Sequence, residues 1–173
     1  MSFASLTSSL LAAVLLVACQ KPQNLGWRVG LRSYGPVHFG ITLDEASALL
    51  GERLQADTTN SGACTYVFAK ATPHVAFMVI EGRIQRVDID SAGVETISGA
   101  HVGVSEDEVR ALYPGRIRTQ PHQYTGPEGH YLIYVPRDAA DAGFGLIFET
   151  NGRVVLNFRA GLQPAVGYVE GCS

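Results

Sequence analysis

Apolar and polar positions follow a helical period in two stretches of the chain. Each stretch begins with the same Thr/Ser-x-x-Glu motif, at Thr42/Glu45 and at Ser105/Glu108. In such a capping box the hydroxyl and the glutamate satisfy the first backbone N–H groups of a helix. Acidic residues in the first turn also favour the helix dipole. The pattern therefore predicts two short amphipathic helices of similar design.

Runs in which apolar and polar residues alternate follow each predicted helix and indicate strands. Two pairs of runs are separated by Glu81-Gly82 and Asn151-Gly152, which are typical of hairpin turns. The predicted strands are His74–Ile80, Arg83–Ile89, Gly145–Thr150, Arg153–Arg159, Cys64–Ala69, Arg116–Thr119, Tyr131–Val135 and Val166–Val169. The expected fold is α+β: a duplicated unit of a short helix followed by antiparallel strands, with the helices packed on an antiparallel sheet.

The predicted organisation is one compact domain behind an export signal. Residues 1–18 contain no ionisable side chain, and Leu10 to Ala18 is an unbroken apolar run. This run is shorter than the roughly 20 residues that a transmembrane helix needs, and it fits the core of a signal peptide. The domain would consist of a first helix-plus-hairpin half at 36–98 and a second at 99–173. The pattern leaves open whether the two halves share one sheet.

The apolar run ends in Leu16-Val17-Ala18-Cys19, which resembles the lipobox of bacterial lipoproteins. The resemblance implies that 1–18 is removed, that Cys19 carries diacylglycerol and an N-linked acyl chain such as palmitate, and that 19–35 is the lipidated tether. It also implies the periplasmic face of the outer membrane, because Gln20 is not the Asp that retains enteric lipoproteins at the inner membrane. A soluble secreted protein and an uncleaved anchor are the alternatives.

Two cysteines remain once Cys19 is assigned to the lipid. Two thiols in an oxidising compartment favour a disulfide between Cys64 and Cys172. The alternative is a pair of free buried thiols. The predicted bridge would tie the C-terminal end to the first half of the chain.

Composition excludes two classes of protein. The net charge is −3 and only 17% of residues are charged, so a nucleic-acid-binding protein is not expected. The 46% of apolar residues argues against a disordered chain.

The segment before the predicted strand at Tyr131 holds the candidate chemistry. If 125–129 is a hairpin loop, then His122, Tyr124 and His130 share one face of the sheet. Two imidazoles and a phenol could bind a metal or transfer a proton, but no third ligand is well placed. We therefore predict no catalytic residue, no metal and no cofactor here. The candidates for contact with a ligand or partner are His122, Tyr124, His130 and Tyr131. The alternative is that these residues form a polar hairpin surface.

Charged residues also follow the predicted strands. Asp88 and Asp90 alternate with apolar neighbours, which indicates the solvated face of a strand. Six arginines also lie along the predicted strands, and a solvated sheet face is the default interpretation for them: Arg83, Arg86, Arg116, Arg118, Arg153 and Arg159. Arginine on such a face also suits protein contacts.

The first helical stretch, Gly40-Ile41-Thr42 to Leu49-Leu50-Gly51, is echoed from Gly103 onward. This pattern resembles the small outer-membrane lipoproteins of the β-barrel assembly machinery (the SmpA/OmlA family) and the β-lactamase inhibitory protein. The resemblance implies a protein that binds other proteins through the exposed face of a sheet and is not an enzyme.

The sequence lacks Gly-x-Ser-x-Gly, His-Glu-x-x-His and Walker A motifs. Together with the resemblance, this predicts a non-enzymatic, lipid-anchored cell-envelope binding protein that contacts another envelope protein, as an inhibitor or immunity protein or as an assembly factor. One alternative is an envelope hydrolase or metal-binding protein that uses His122 and His130. Another is a glycan-binding protein that uses Tyr124, Tyr131 and Tyr134.

Overall fold

The computed structural model describes residues 26–56 and 63–172. The strands are Ser33–Tyr34 (β1), Val37–His38 (β2), Gln55–Ala56 (β3), Cys64–Ala69 (β4), Thr72–Ile80 (β5), Arg83–Ile89 (β6), Ile117–Pro121 (β7), His130–Tyr134 (β8), Phe144–Thr150 (β9) and Val155–Leu162 (β10). The α-helices are Leu43–Leu50 (α1) and Glu106–Leu112 (α2), and short 3₁₀ helices span Ala139–Asp141 and Ala165–Gly167. The predicted signal peptide and Cys19 lie outside the described residues.

A single antiparallel sheet organises the molecule. Its strand order is β3-β4-β5-β6-β10-β9-β8-β7, and β1 and β2 form a separate two-stranded sheet. The central pair is β6 and β10, in which Ala160 faces Val87 and Phe158 faces Ile89. The strands from both parts of the chain therefore share one continuous eight-stranded sheet.

The hydrophobic core lies on one face of this sheet. Alternate residues of the central strands enter it, among them Val75, Phe77, Val87, Leu132, Phe148 and Phe158, all fully buried. Val29 and Tyr34 join this core with 1% and 2% of their surfaces exposed, although the sequence assigned 19–35 to the tether. The part of that segment that the structure describes is therefore packed against the sheet.

The predicted fold class is wrong. The protein is mostly β, with an eight-stranded antiparallel sheet and only two α-helices in the described residues. It does not consist of duplicated helix-strand units with helices packed on the sheet. The physical reason is helix size: α1 has 8 residues and buries Ala46 and Leu50, and α2 has 7 residues and buries the apolar side chain of Val109. Two turns offer too little surface to cover this sheet, and β1, β2 and loops contribute to the core as well.

Local predictions fared better. Both capping boxes are confirmed, with Thr42 accepting from the Glu45 N–H and Ser105 from the Glu108 N–H. Both predicted hairpins form, as β5–β6 and β9–β10. The strand predicted at Val166–Val169 is wrong, because the chain there leaves the sheet and forms a 3₁₀ turn.

The predicted disulfide is confirmed. Cys64 and Cys172 are bonded, with Cα atoms 5.3 Å apart and a sequence separation of 108. Within the described residues, no helix combines the length and the apolarity needed to cross a membrane.

Candidate functional site

A C-terminal segment crosses the face of the sheet that lies opposite the core. We call residues 163–172 the strap. The strap leaves β10, buries Val166 completely against Tyr131 and Ile147, and ends at the disulfide between Cys172 and Cys64. It therefore partly covers an outer face that would otherwise be open to solvent.

Arg86 of β6 binds the strap from the side of the sheet. Its side chain lies on the outer face, and only 2% of the residue is exposed. Nη1 donates to the carbonyl oxygens of Ala165 and Tyr168 at 2.8 and 2.7 Å. Nε donates to Asp88 at 2.9 Å, and Nη2 donates to the Tyr66 hydroxyl at 2.7 Å. One guanidinium thus links β4, β6 and the strap.

Two glycines create the space for these contacts. A Cβ on Gly161, which pairs with Arg86 across β10 and β6, would lie 2.4 Å from the Gln85 carbonyl oxygen and 2.3 Å from the Arg86 Cβ. A Cβ on Gly145 would lie 2.7 Å from a methyl group of Val166. Any larger residue would push Arg86 or the strap away from the sheet.

Arg159 makes a second internal network beside the first. The residue is 4% exposed; its Nε donates to the Val166 carbonyl at 2.7 Å, and Nη1 contacts Glu149. Glu149 also accepts from Asn157 Nδ2 at 3.1 Å and from His122 Nε2 at 3.4 Å. Burial alone would raise the pKa of Glu149, but these donors outweigh it and lower the pKa, so the carboxylate is ionised at neutral pH.

Asp88 corrects a prediction made from the sequence. Its side chain is only 28% exposed and pairs with Arg86, so it is half-buried instead of lying on a solvated face. Burial raises the pKa of Asp88, although Arg86 and Arg159 act in the opposite direction. Asp90, by contrast, keeps 79% of its side chain exposed, as predicted.

An open cavity of about 420 Å³ lies on the outer face beside the end of the strap. Four carboxylates line it, against two guanidinium groups and one imidazole: Asp88, Asp90, Glu149, Glu170, Arg86, Arg159 and His74. Phe68 and Val169 also line it and are 37% and 36% exposed. Arg86 and Arg159 pair with Asp88 and Glu149, so the carboxylates of Asp90 and Glu170 give the cavity its acidic character. Phe68 and Val169 form an apolar rim beside them.

The two candidate histidines do not share a face, contrary to the prediction. The structure pairs Pro121 with His130, whereas the predicted loop paired Tyr124 with His130. Side chains alternate between the two faces, so a shift of the register by an odd number of residues, here three, places His122 and His130 on opposite sides of the sheet. His122 stacks on Tyr131 at 4.4 Å on the outer face, and His130 lies on the core side.

His122 stabilises its own loop. Its Nδ1 accepts from the backbone N–H groups of Tyr124 and Thr125 at 3.1 and 3.2 Å. The proton of the neutral ring therefore sits on Nε2, facing Glu149. Tyr124 is 58% exposed and its hydroxyl donates to Glu170 of the strap. Of the predicted contact residues, Tyr124 and Tyr131 contact the strap. His122 stacks on Tyr131, and His130 lies on the other side of the sheet.

His130 belongs to a separate cluster around Glu106, the first residue of α2. Its Nδ1 lies 2.8 Å from Glu106 Oε1, which also accepts from the Thr150 hydroxyl. Arg110 donates twice to Oε2 at 3.1 Å. Burial would raise the pKa of Glu106, but the donors Thr150, His130 and Arg110 together lower it. The cluster joins α2 to β8 and β9.

The lowered pKa of Glu106 predicts a pH-dependent contribution to stability. Because its pKa is lower in the folded protein than in the unfolded chain, the contribution is full above the unfolded pKa and is lost as pH falls through the folded pKa. Glu106→Gln should cost about 1–3 kcal/mol at neutral pH. Urea denaturation should show the two proteins converging in acid. Glu81→Gln, at an exposed turn residue, is the control, and a pH-independent difference would contradict the prediction.

Sequence reasoning missed Arg86 and Arg159 as buried residues. The alternation in β6 shows that Arg86 and Asp88 share a face, but nothing local shows that the strap covers it. In the described residues, no group of three or more His, Cys, Asp or Glu side chains is placed to hold a metal ion.

Comparisons with known proteins assign this chain to no family. No family model matches the chain, and no curated protein and no solved structure matches it either.

Proposed function

We propose that this protein is a lipid-anchored cell-envelope protein that binds another envelope protein through the outer face of its sheet. The observation that carries the proposal is the acidic cavity of about 420 Å³ with exposed Phe68 and Val169 beside it. Apolar and aromatic anchors next to charged groups are typical of protein–protein contact surfaces. An assembly factor and an inhibitor or immunity protein are both compatible with such a surface.

The cavity suits a basic side chain of the partner. Its four carboxylates exceed its two guanidinium groups, and those guanidinium groups are held by Asp88, Glu149 and carbonyl oxygens of the strap. A lysine or arginine entering the cavity would lie beside Asp90, whose carboxylate is 79% exposed and has the His74 imidazole 4.0 Å away. Charge complementarity of this kind contributes to specificity and to the rate of association.

The envelope location is supported by two features of the chain. Leu16-Val17-Ala18-Cys19 has the form of a lipobox, and the disulfide between Cys64 and Cys172 is typical of an oxidising compartment. The proposed site of the anchor is the periplasmic face of the outer membrane.

The alternative functions lack the geometry that they need. A hydrolase or metal site at His122 and His130 requires both rings on one face, and each ring instead contacts its own glutamate on opposite faces. A glycan platform requires accessible aromatic rings. Tyr131 is 8% exposed and Tyr134 packs on Tyr113 beside the core. Of the three tyrosines that this interpretation needs, Tyr124 is therefore the one with an accessible ring.

Photo-crosslinking in intact cells tests the proposed surface. A photoreactive phenylalanine analogue at Phe68, beside the cavity, should crosslink to one discrete envelope protein. The same analogue at Leu49 of α1, which is 44% exposed, is the matched control and should not. Asp90→Lys should abolish the crosslink from position 68, because it reverses the charge at the exposed edge of the cavity. Equal crosslinking from both positions, or none, would overturn the proposal.

Membrane fractionation tests the anchor. Cys19→Ser should release the protein from membranes, and mass spectrometry of the wild-type protein should find acyl chains on the N-terminal cysteine. Wild-type protein that keeps residues 1–18, or Cys19→Ser protein that stays membrane-bound, would contradict the lipid assignment.

A further inference from the structure

An exposed apolar side chain, that of Ile97, lies where the chain enters the domain. Val29 N–H donates to the Glu95 carbonyl at 2.8 Å, and Ile97 N–H donates to the Val29 carbonyl at 2.9 Å. The segment around Val29 and the segment around Ile97 therefore lie side by side. Ile97 is 67% exposed, more than any other large hydrophobic residue in the described part of the chain.

The turn that presents Ile97 is held firmly at its base. Thr96 is 1% exposed, its N–H donates to the Ala100 carbonyl at 2.8 Å, and its hydroxyl accepts from the Ala100 N–H at 2.9 Å. Tyr113 also donates to that hydroxyl at 2.8 Å. The tip thus carries an exposed β-branched apolar residue where turns usually carry small or polar ones.

The segment through which the chain enters the domain also carries a tryptophan and an arginine. The Arg28 Nη1 is 3.5 Å from the Ile97 carbonyl oxygen, and Trp27, the preceding residue, is partly buried against Tyr34. Tryptophan, arginine and an exposed aliphatic residue are typical of surfaces that lie at the boundary of a bilayer. Arg28 pairs with Glu95 at 3.2 Å, so contact with a neutral lipid surface would not leave the Arg28 charge unpaired.

The position of the anchor decides which side of the domain meets the membrane. From Cys19 to Gly26 the chain can span at most roughly 25 Å when fully extended, which is less than the width of a domain of this size, on the order of 35 Å. The domain therefore cannot turn its entry side away from the bilayer. We propose that the Ile97 turn and Trp27 rest on the lipid surface that holds the anchor, with Ile97 inserted among the headgroups. This inference rests on the proposed lipidation of Cys19.

Trp27 supplies the probe, because the chain contains one tryptophan. Full-length acylated protein is reconstituted in phosphatidylcholine vesicles whose acyl chains are brominated near the headgroup. Bromine quenches tryptophan at short range, so Trp27 fluorescence should be quenched in the wild type and should lose most of that quenching in Ile97→Ser. Leu156→Ser, at a residue that is 43% exposed on β10, is the control and should keep it.

Two failures are distinguishable in this experiment. Protein without acyl chains on Cys19, as measured by mass spectrometry, would overturn the proposed anchoring itself. Acylated, vesicle-bound protein whose Trp27 is unquenched, or whose quenching is the same in Ile97→Ser, would overturn only the membrane contact. A third outcome combines unquenched Trp27 in the wild type with loss of the crosslink from position 68 in Ile97→Ser. This outcome would assign the turn to a protein partner and would also overturn the membrane contact.

Discussion

Arg86→Met should destabilise the folded protein by about 3–5 kcal/mol, because it removes one partner of a buried ion pair. Asp88 would keep its half-buried position without its cation. The carbonyl oxygens of Ala165 and Tyr168 would lose their donor at the same time. Methionine fills much of the same volume, so the loss reflects the charge and the hydrogen bonds more than a cavity.

Chemical denaturation of the oxidised protein measures this effect. Arg118→Met is the matched control, because Arg118 is exposed on β7 and surface substitutions usually change stability by less than about 0.5 kcal/mol. A loss below about 1 kcal/mol for Arg86→Met would show that water replaces the guanidinium and that the strap does not depend on it.

Local sequence signals predicted the local structure well. The capping boxes at Thr42 and Ser105 and the turn at Glu81-Gly82 involve residues only a few positions apart, so their chemistry is complete within the segment itself. The disulfide was also predictable, because the expected oxidising compartment and the expected use of Cys19 for lipid left a single pair of cysteines.

The fold class and the histidine geometry were not predictable in the same way. Two similar capping boxes suggested a repeated unit, but helix packing depends on length, and α1 and α2 are too short to cover the sheet. The faces of His122 and His130 depended on the register of one hairpin, and a shift of three residues reversed the prediction.

The candidate site depends on contacts between distant parts of the chain. Arg86 meets Tyr168, 82 positions later, and Arg159 is buried because the chain turns back over it at Val166. A strand pattern shows which side chains share a face, but not what covers that face. The burial of Arg86 and Arg159 was therefore visible only once the strap was placed.

Removing the disulfide should be the second large perturbation. The double variant Cys64→Ser/Cys172→Ser should lose about 2–5 kcal/mol, because the bridge closes a loop across a sequence separation of 108 and long loops gain most from a crosslink. Reduced wild-type protein, measured in the same denaturant series, should lose a similar amount. A loss near zero in both would mean that the strap is held by its other contacts alone.

Combining this double variant with Arg86→Met tests whether the disulfide and Arg86 hold the same element. Both fix the strap, Arg86 at Ala165 and Tyr168 and the bridge at its end. Once the bridge is gone and the strap is loosened, Arg86 has less left to hold, so the combined loss should be smaller than the sum by about 0.5–3 kcal/mol. Strict additivity would show that the two act independently, and the strap would then not behave as a single unit on the outer face.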